Sequence, residues 1–196
     1  MTYQEIASDK NLLIKTLADC YFTADNPQQK WEDARRFISL CLDHPGSLLD
    51  IGCANGFLIK SLEYWSGQKI APFGIDVIAQ NIQNAQKLFP EYQNNFQNIS
   101  YDSFLLTYPV GFPYQFDYLI WSFWDDKHLI EKREVDFLLE HTKDNGKLII
   151  TFYPDDSREP TDTIGNISNI LQIGYRATNI KNNVPHRNEQ LVVIQK

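Results

Sequence analysis

Apolar residues recur in two rhythms along the chain. Near the N-terminal end Ile14, Leu17, Ala18 and Tyr21 are spaced i, i+3, i+4, i+7, which predicts one stripe of a helix. Asn26-Pro27 offers a cap and a first-turn proline for a second helix. That helix places Trp31, Ala34, Ile38 and Cys41 on one face with Phe37 beside them, and His44-Pro45-Gly46 stops it. The rhythm then changes to short apolar runs bounded by turn residues: Ser47 to Ile51, Pro72 to Asp76, Phe96 to Ser100, Gln115 to Trp121 and Lys147 to Phe152. The runs QFDYLIW and Lys147 to Phe152 are apolar on both sides, as strands buried on both faces are. Helical stripes separate the runs: Phe57 to Trp65, closed by Ser66-Gly67; Ile78, Ile82, Ala85 and Phe89; and Asp126 to His141, with Val135, Leu138 and Leu139 inward. Asn145-Gly146 reads as a turn. Past Pro160 a helix carries Ile164, Ile167 and Leu171, and Tyr175 to Ile180 and Gln190 to Gln195 read as two closing strands.

Strands that alternate with helices imply an α/β fold with a parallel sheet and right-handed crossovers. At 196 residues, with no repeat or linker, the chain predicts a single domain, 1–196. Residues 1–46 form a helical lead-in and 47–196 the core. The lead-in helices pack on the sheet, and Tyr3, Tyr21, Phe22 and Trp31 are aromatics available to roof a pocket.

Everything is organised around SLLDIGCANG, Ser47 to Gly56: a strand, a turn built on Gly52, Ala54 and Gly56, and the helix start Phe57-Leu58-Ile59. Small residues there let a ligand approach the backbone. The helix start offers N–H groups and a positive dipole end to an anionic ligand group. The dinucleotide fingerprint G-x-G-x-x-G fails, because Phe57 stands where its last small residue belongs. Asp76 ends the second strand, 24 residues after Gly52, where a carboxylate can accept both ribose hydroxyls of a nucleoside. Val77 and Ile78 beside it supply an apolar edge for a base. A helix N-cap is the alternative role for Asp76.

The segment Asp50 to Gly56, DIGCANG, resembles the first motif of the class I S-adenosylmethionine-dependent methyltransferases, two hydrophobic residues followed by Asp/Glu-x-Gly-x-Gly-x-Gly. Ala54 replaces the middle glycine. The runs FDYLIWSFW and GKLIITFY resemble the family's later motifs, and the resemblance covers residues 30 to 196. It implies a Rossmann-like, doubly wound sheet of seven strands, mostly parallel with a C-terminal antiparallel hairpin strand and helices on both faces. It implies S-adenosylmethionine as cofactor. Gly52 and the neighbouring backbone of Cys53, Ala54, Asn55 and Gly56 would lie against its amino acid moiety, and Asp50 would hold the ammonium. Asn98 and Ile99 would read the adenine, with Asp102 as the competing choice. Trp121 and Ser122 open a segment, WSFWDD, that in the family passes beside the sulfonium and walls the substrate site. Asp125 and His128 are the candidate catalytic bases, with Asp126 beside them. An aspartate that N-caps the following helix and a solvated His128 are the alternatives.

The formal net charge of -7 argues against a general phosphate-binding surface. Arg35-Arg36 and Lys132-Arg133 read as solvated helix faces. Three cysteines, Cys20, Cys41 and Cys53, without a C-x-x-C pair suggest neither a disulfide framework nor a metal site. The polar start MTYQEIASDK lacks a signal core, and no apolar run reaches a membrane span. A cytoplasmic protein is expected, and the N-x-S matches at Asn98 and Asn166 are chance. The expected reaction is in-line methyl transfer to a small-molecule acceptor, with no membrane or nucleic-acid partner. Lack of the D/N-P-P-Y/F motif lowers the case for a base-modifying enzyme. The alternatives are a tRNA or rRNA methyltransferase of the same fold, a non-catalytic cofactor-binding module, and a nicotinamide-dependent oxidoreductase, which the Phe57 spacing opposes.

Overall fold

The computed structural model describes residues 1–20, 22–123, 129–153 and 160–196, of 160–164 the backbone alone. Seven strands form one sheet: β1 Gly46–Ile51, β2 Ile70–Asp76, β3 Phe96–Asn98, β4 Phe116–Phe123, β5 Thr142–Phe152, β6 Ala177–Lys181 and β7 Gln190–Gln195. Their order is β3-β2-β1-β4-β5-β7-β6, with helices flanking the sheet. By its internal contacts the chain divides into two compact units, Met1–Phe112 and Pro113–Lys196.

The first unit begins with three helices, α1 Tyr3–Ser8, α2 Lys10–Ala18 and α3 Pro27–Arg35, and a 3₁₀ segment, Arg36–Cys41. Thr2 and Glu5 close α1 with a capping box, and Asp9 caps α2 by accepting from the N–H groups of Asn11 and Leu12. The stripe in α2 is Leu13, Thr16 and Leu17, while Ile14 is 44% exposed and Ala18 exposed. This corrects the predicted face: a threonine holds an inward position, so counting apolar residues placed the stripe one residue out of phase. Tyr21 lies outside the described residues. Trp31, Ala34, Phe37, Ile38 and Cys41 are buried as expected. Arg35 is buried too, its guanidinium 5.4 Å from the Trp31 ring centroid and 6.0 Å from that of Phe22. Stacking on aromatic faces, not a solvated helix surface, is what accommodates it.

An aromatic cluster seats these helices. Tyr3 stacks on Tyr64 at 4.7 Å and on Phe57 at 5.7 Å, and Trp31 on Phe57 at 5.6 Å. Phe57 and Tyr64 belong to α4, Phe57–Ser66. Tyr3 and Trp31 are therefore core residues, and burying each contributes on the order of 2–3 kcal/mol.

β1 and β2 pair in parallel with Asp50 opposite Gly74, and β2 pairs with β3 so that Asp76 stands opposite Asn98. The carboxyl ends of β1 and β2 thus carry both acids. After β2 comes α5, Ala79–Leu88, with Ile82 and Ala85 buried. Ile78 lies just before α5 and is 39% exposed, so it is not part of the buried stripe. After β3, Ser100 caps α6, Tyr101–Leu106, a helix too short to show a period in sequence.

In the second unit β4 and β5 pair in parallel, with Ser122 opposite Thr151. β7 runs antiparallel to β5, and β6 antiparallel to β7. Asn145 at φ 65 and Gly146 fall inside β5, where a Cβ on Gly146 would meet Asp117 O at 2.9 Å. The predicted turn is an irregularity within a longer strand. Helix α7, Lys132–Glu140, buries Val135, Leu138 and Leu139. Lys132 pairs with Asp136 and Arg133 with Glu131 on exposed faces. Helix α8, Pro160–Gln172, buries Ile167 and Ile170, whereas Leu171 is 41% exposed. Ile167 is inward as the stripe predicts, Ile170 takes the inward place expected of Leu171, and the side chain of Ile164 lies outside the described residues. Asn166 is buried with its Oδ1 accepting from Ile130 N–H at 2.7 Å, so its N-x-S match offers no free side chain.

Candidate functional site

The turn after β1 is left-handed three times over: Gly52 at φ 81, Ala54 at φ 47 and Gly56 at φ 76. The two glycines serve different ends. A Cβ on Gly56 would sit 2.9 Å from the Phe89 ring, so Gly56 is small for packing. A Cβ on Gly52 would meet nothing within 4 Å, and the residue is exposed, so the turn is open there. Gly74 in β2 is small because a Cβ would lie 2.6 Å from Cys53 Sγ, which fills the space beneath the turn.

Most of the turn's donors are already used. Gly52 and Cys53 N–H donate to Ile75 O at 2.9 and 3.0 Å, Ala54 N–H to Asp76 Oδ2 at 2.9 Å, Gly56 N–H to Cys53 O at 2.8 Å and Phe57 N–H to Asn55 Oδ1 at 3.1 Å. A phosphate cradle needs such N–H groups free. These groups knit β1, β2 and α4 together, so the turn offers fewer donors to an anion than its residue types suggest.

Beneath the turn, at the end of β1, lies a buried acid. Asp50 is 1% exposed, and its Oδ1 is buried without a hydrogen-bond partner. Burial, and then the charge of Asp76, push its carboxyl up to about 7. A buried carboxylate oxygen without a partner is costly unless something cationic or a donor completes it.

Asp76 is largely committed to protein. Besides Ala54 N–H on Oδ2, its Oδ1 accepts from Ile78 N–H at 2.8 Å and from Asn81 Nδ2 at 3.2 Å. Of about four acceptor positions on a carboxylate, one remains, on Oδ2. Val77 beside it is 66% exposed, an apolar surface next to a carboxylate. Asn98 Nδ2 donates to Asp76 O at 2.8 Å, and Ile99 is half-buried. Asp102 is exposed in the first turn of α6. Asn55 and Cys53 turn their side chains into the protein, so only their backbones belong to the turn's surface. Asn81 and Gly74 had no place in the sequence reading. Their signal was a polar residue beside the apolar row of α5 and a glycine inside a strand.

In the second unit Trp121 is buried edge-on to Phe123 at 5.3 Å, and Ser122 Oγ accepts from Thr151 Oγ1 at 3.4 Å. Asp125, Asp126 and His128 lie outside the described residues, as does Trp124. Among the described residues no group of His, Cys, Asp or Glu is placed to hold a metal, and no helix is long and apolar enough to cross a membrane.

No protein-family model matches the chain, and no curated protein matches it in sequence. Solved structures do match in shape. A SAM dependent methyltransferase from Aquifex aeolicus aligns over 88% of this chain and 99% of its own, at 16% identity and a TM-score of 0.54. The plantazolicin methyltransferase BpumL, in complex with a triazolic desmethylPZN analog and SAH, aligns over 98% and 94%, at 14% identity and a TM-score of 0.61. A ribosomal protein L11 methylase from Lactobacillus delbrueckii subsp. bulgaricus aligns over 86% and 79%, at 13% identity and a TM-score of 0.55. The chain has the Rossmann-like methyltransferase fold.

Proposed function

We propose that the protein is an S-adenosylmethionine-dependent methyltransferase acting on a small-molecule acceptor. One observation carries this reading: the N–H groups of Gly52, Cys53, Ala54, Gly56 and Phe57 are spent within the protein, while Asp50 at the end of β1 keeps a buried carboxyl oxygen unpartnered. Such a turn suits a ligand with an ammonium group and not one with a pyrophosphate. An amino acid moiety has that ammonium; a dinucleotide does not. The fold it shares with known methyltransferases supports the same reading.

When bound, S-adenosylmethionine supplies a methyl group on a sulfonium that a nucleophile can displace in line. Asp50 would accept from the cofactor's ammonium. The open face at Gly52 admits the amino acid moiety against the backbone of residues 52–56. The last acceptor position of Asp76 suits one ribose hydroxyl, and Val77 with Ile78 offers the adenine an apolar edge. Asn98 and Ile99 complete the proposed cofactor contacts of this unit, and Trp121 and Ser122 are proposed as contacts on the resemblance of their segment alone. Holding reacting atoms aligned can contribute on the order of 7–11 kcal/mol to the rate. Asp125 and His128 are the proposed proton acceptors where the nucleophile is protonated at working pH.

A small acceptor is favoured by the net charge of -7, which repels polyanions. Cys20, Cys41 and Cys53 are not joined in disulfides, which supports a reducing, cytoplasmic setting. The experiment is a turnover assay following SAH release across a panel of amine, phenol, carboxylate and thiol acceptors, with tRNA and rRNA as separate arms. Turnover confined to small molecules supports the proposal. Turnover only on RNA contradicts the acceptor class, and no turnover on any arm contradicts the activity.

A further inference from the structure

The side chain of Asn55 leaves the turn and ends on other elements. Its Nδ2 donates to Thr16 O in α2 at 2.8 Å, and its Oδ1 accepts from Cys20 Sγ at 2.7 Å as well as from Phe57 N–H. The residue is 3% exposed, so water does not compete for these bonds. A second tie lies on the other side: Asn84 Nδ2 of α5 donates to Asp19 Oδ2 at 3.1 Å. Residues Thr16 to Cys20 are thus fastened at one point to the turn after β1 and at another to the helix after β2. Those are the strands whose carboxyl ends carry Asp50 and Asp76. Burial, and to a lesser degree charges that include Asp19 and Asp50, hold the Cys20 thiol up at about 12, so it is a neutral donor in this network.

Helix α2 has nine residues, a length at which a helix in water is marginal without tertiary support. Its order therefore depends on tertiary support, from the buried Leu13 and Leu17 and from these ties. Asn55 sits between Ala54 and Gly56, both left-handed, so its side chain also fixes the backbone at the turn's least comfortable point.

We infer that Asn55 is a positioning residue that couples ligand occupancy of the turn to the docking of α2, which acts as a strap across the carboxyl ends of β1 and β2. The inference rests on the turn being the cofactor site. Coupling between two equilibria is reciprocal, so cofactor must tighten α2 as much as docked α2 tightens cofactor.

Asn55→Ser separates this role from simple packing. A serine hydroxyl can still accept from the Phe57 N–H but is too short to reach Thr16 O. The experiment is hydrogen–deuterium exchange on the full chain over residues 10–20, with and without saturating SAH, alongside SAH affinity by calorimetry. In the unaltered protein SAH is expected to slow exchange over 10–20 by at least about fivefold. N55S is expected to bind SAH about tenfold more weakly and to lose that protection at saturation. Asn84→Ala, outside the buried network, is expected to lose part of it and decides the matter alone if N55S does not fold. Binding of SAH with no change over 10–20, or N55S or N84A behaving as the unaltered protein, overturns the coupling and leaves the cofactor reading intact. No SAH binding by the unaltered protein overturns the cofactor reading, and the coupling with it.

Discussion

Asp76 Oδ2 accepts the Ala54 N–H at 2.9 Å, so the acid at the end of β2 holds the turn at the end of β1 in shape. The same carboxylate receives Ile78 N–H and Asn81 Nδ2. Asp76→Ala should then do two things at once. It strands three donors, and a hydrogen bond to a charged acceptor is worth about 1.5–3 kcal/mol. Thermal unfolding should move to lower temperature, and SAH affinity should fall by roughly ten- to a hundredfold. Calorimetry reads both. Lost affinity without lost stability would mean that the bridge to Ala54 carries little of the fold.

Gly52 and Ala54 make opposite predictions although both are left-handed. At Gly52 the space beside Cα is open, so Gly52→Ala should keep the fold apart from strain of about 1–2 kcal/mol. Its methyl group occupies the face a ligand approaches, and cofactor binding should drop steeply. Ala54→Gly relieves the strain at φ 47 and should leave stability unchanged or raised by up to about 1 kcal/mol. Denaturant titration of the two variants beside SAH titration separates the effects. Equal affinity losses in both would show that backbone strain, not access, governs the turn.

Asp50 gives the protein a pH signature. Its carboxyl titrates near 3.8 in an unfolded chain and at about 7 in the fold. Between these values the folded state keeps a proton that the unfolded state has lost, so this contribution to stability is full below about 4 and disappears as pH rises through 7. A cationic ammonium needs the ionised form, so SAH should bind more tightly at pH 8 than at pH 6, opposite to the stability trend. Asp50→Asn should flatten both curves. Unchanged slopes in that variant would assign the pH dependence elsewhere.

Much of this was readable in the sequence, for identifiable reasons. The buried strands announce themselves as unbroken apolar runs, and DIGCANG fixes its turn because only small residues tolerate those angles at Gly52 and Gly56. The face of α2 is not legible from apolar residues alone, because Thr16 points inward. Helices α1 and α6 span less than two turns and show no period. Asp76 was legible as a strand-end acid, but its main partners are backbone N–H groups of Ala54 and Ile78, which every sequence has. Asn55 looked like one more turn residue, because nothing in sequence shows Thr16 arriving beside it. Asp125 and His128, the expected bases, lie outside the described residues.

The most direct test is calorimetric titration of the purified full chain with S-adenosylmethionine and, separately, with SAH at pH 8. Micromolar binding of either, weakened in the Asp50→Asn and Asp76→Ala variants, is the predicted result. A folded protein that binds neither would contradict the central claim and reduce the turn at Asp50 to Gly56 to a packing device between β1 and α4.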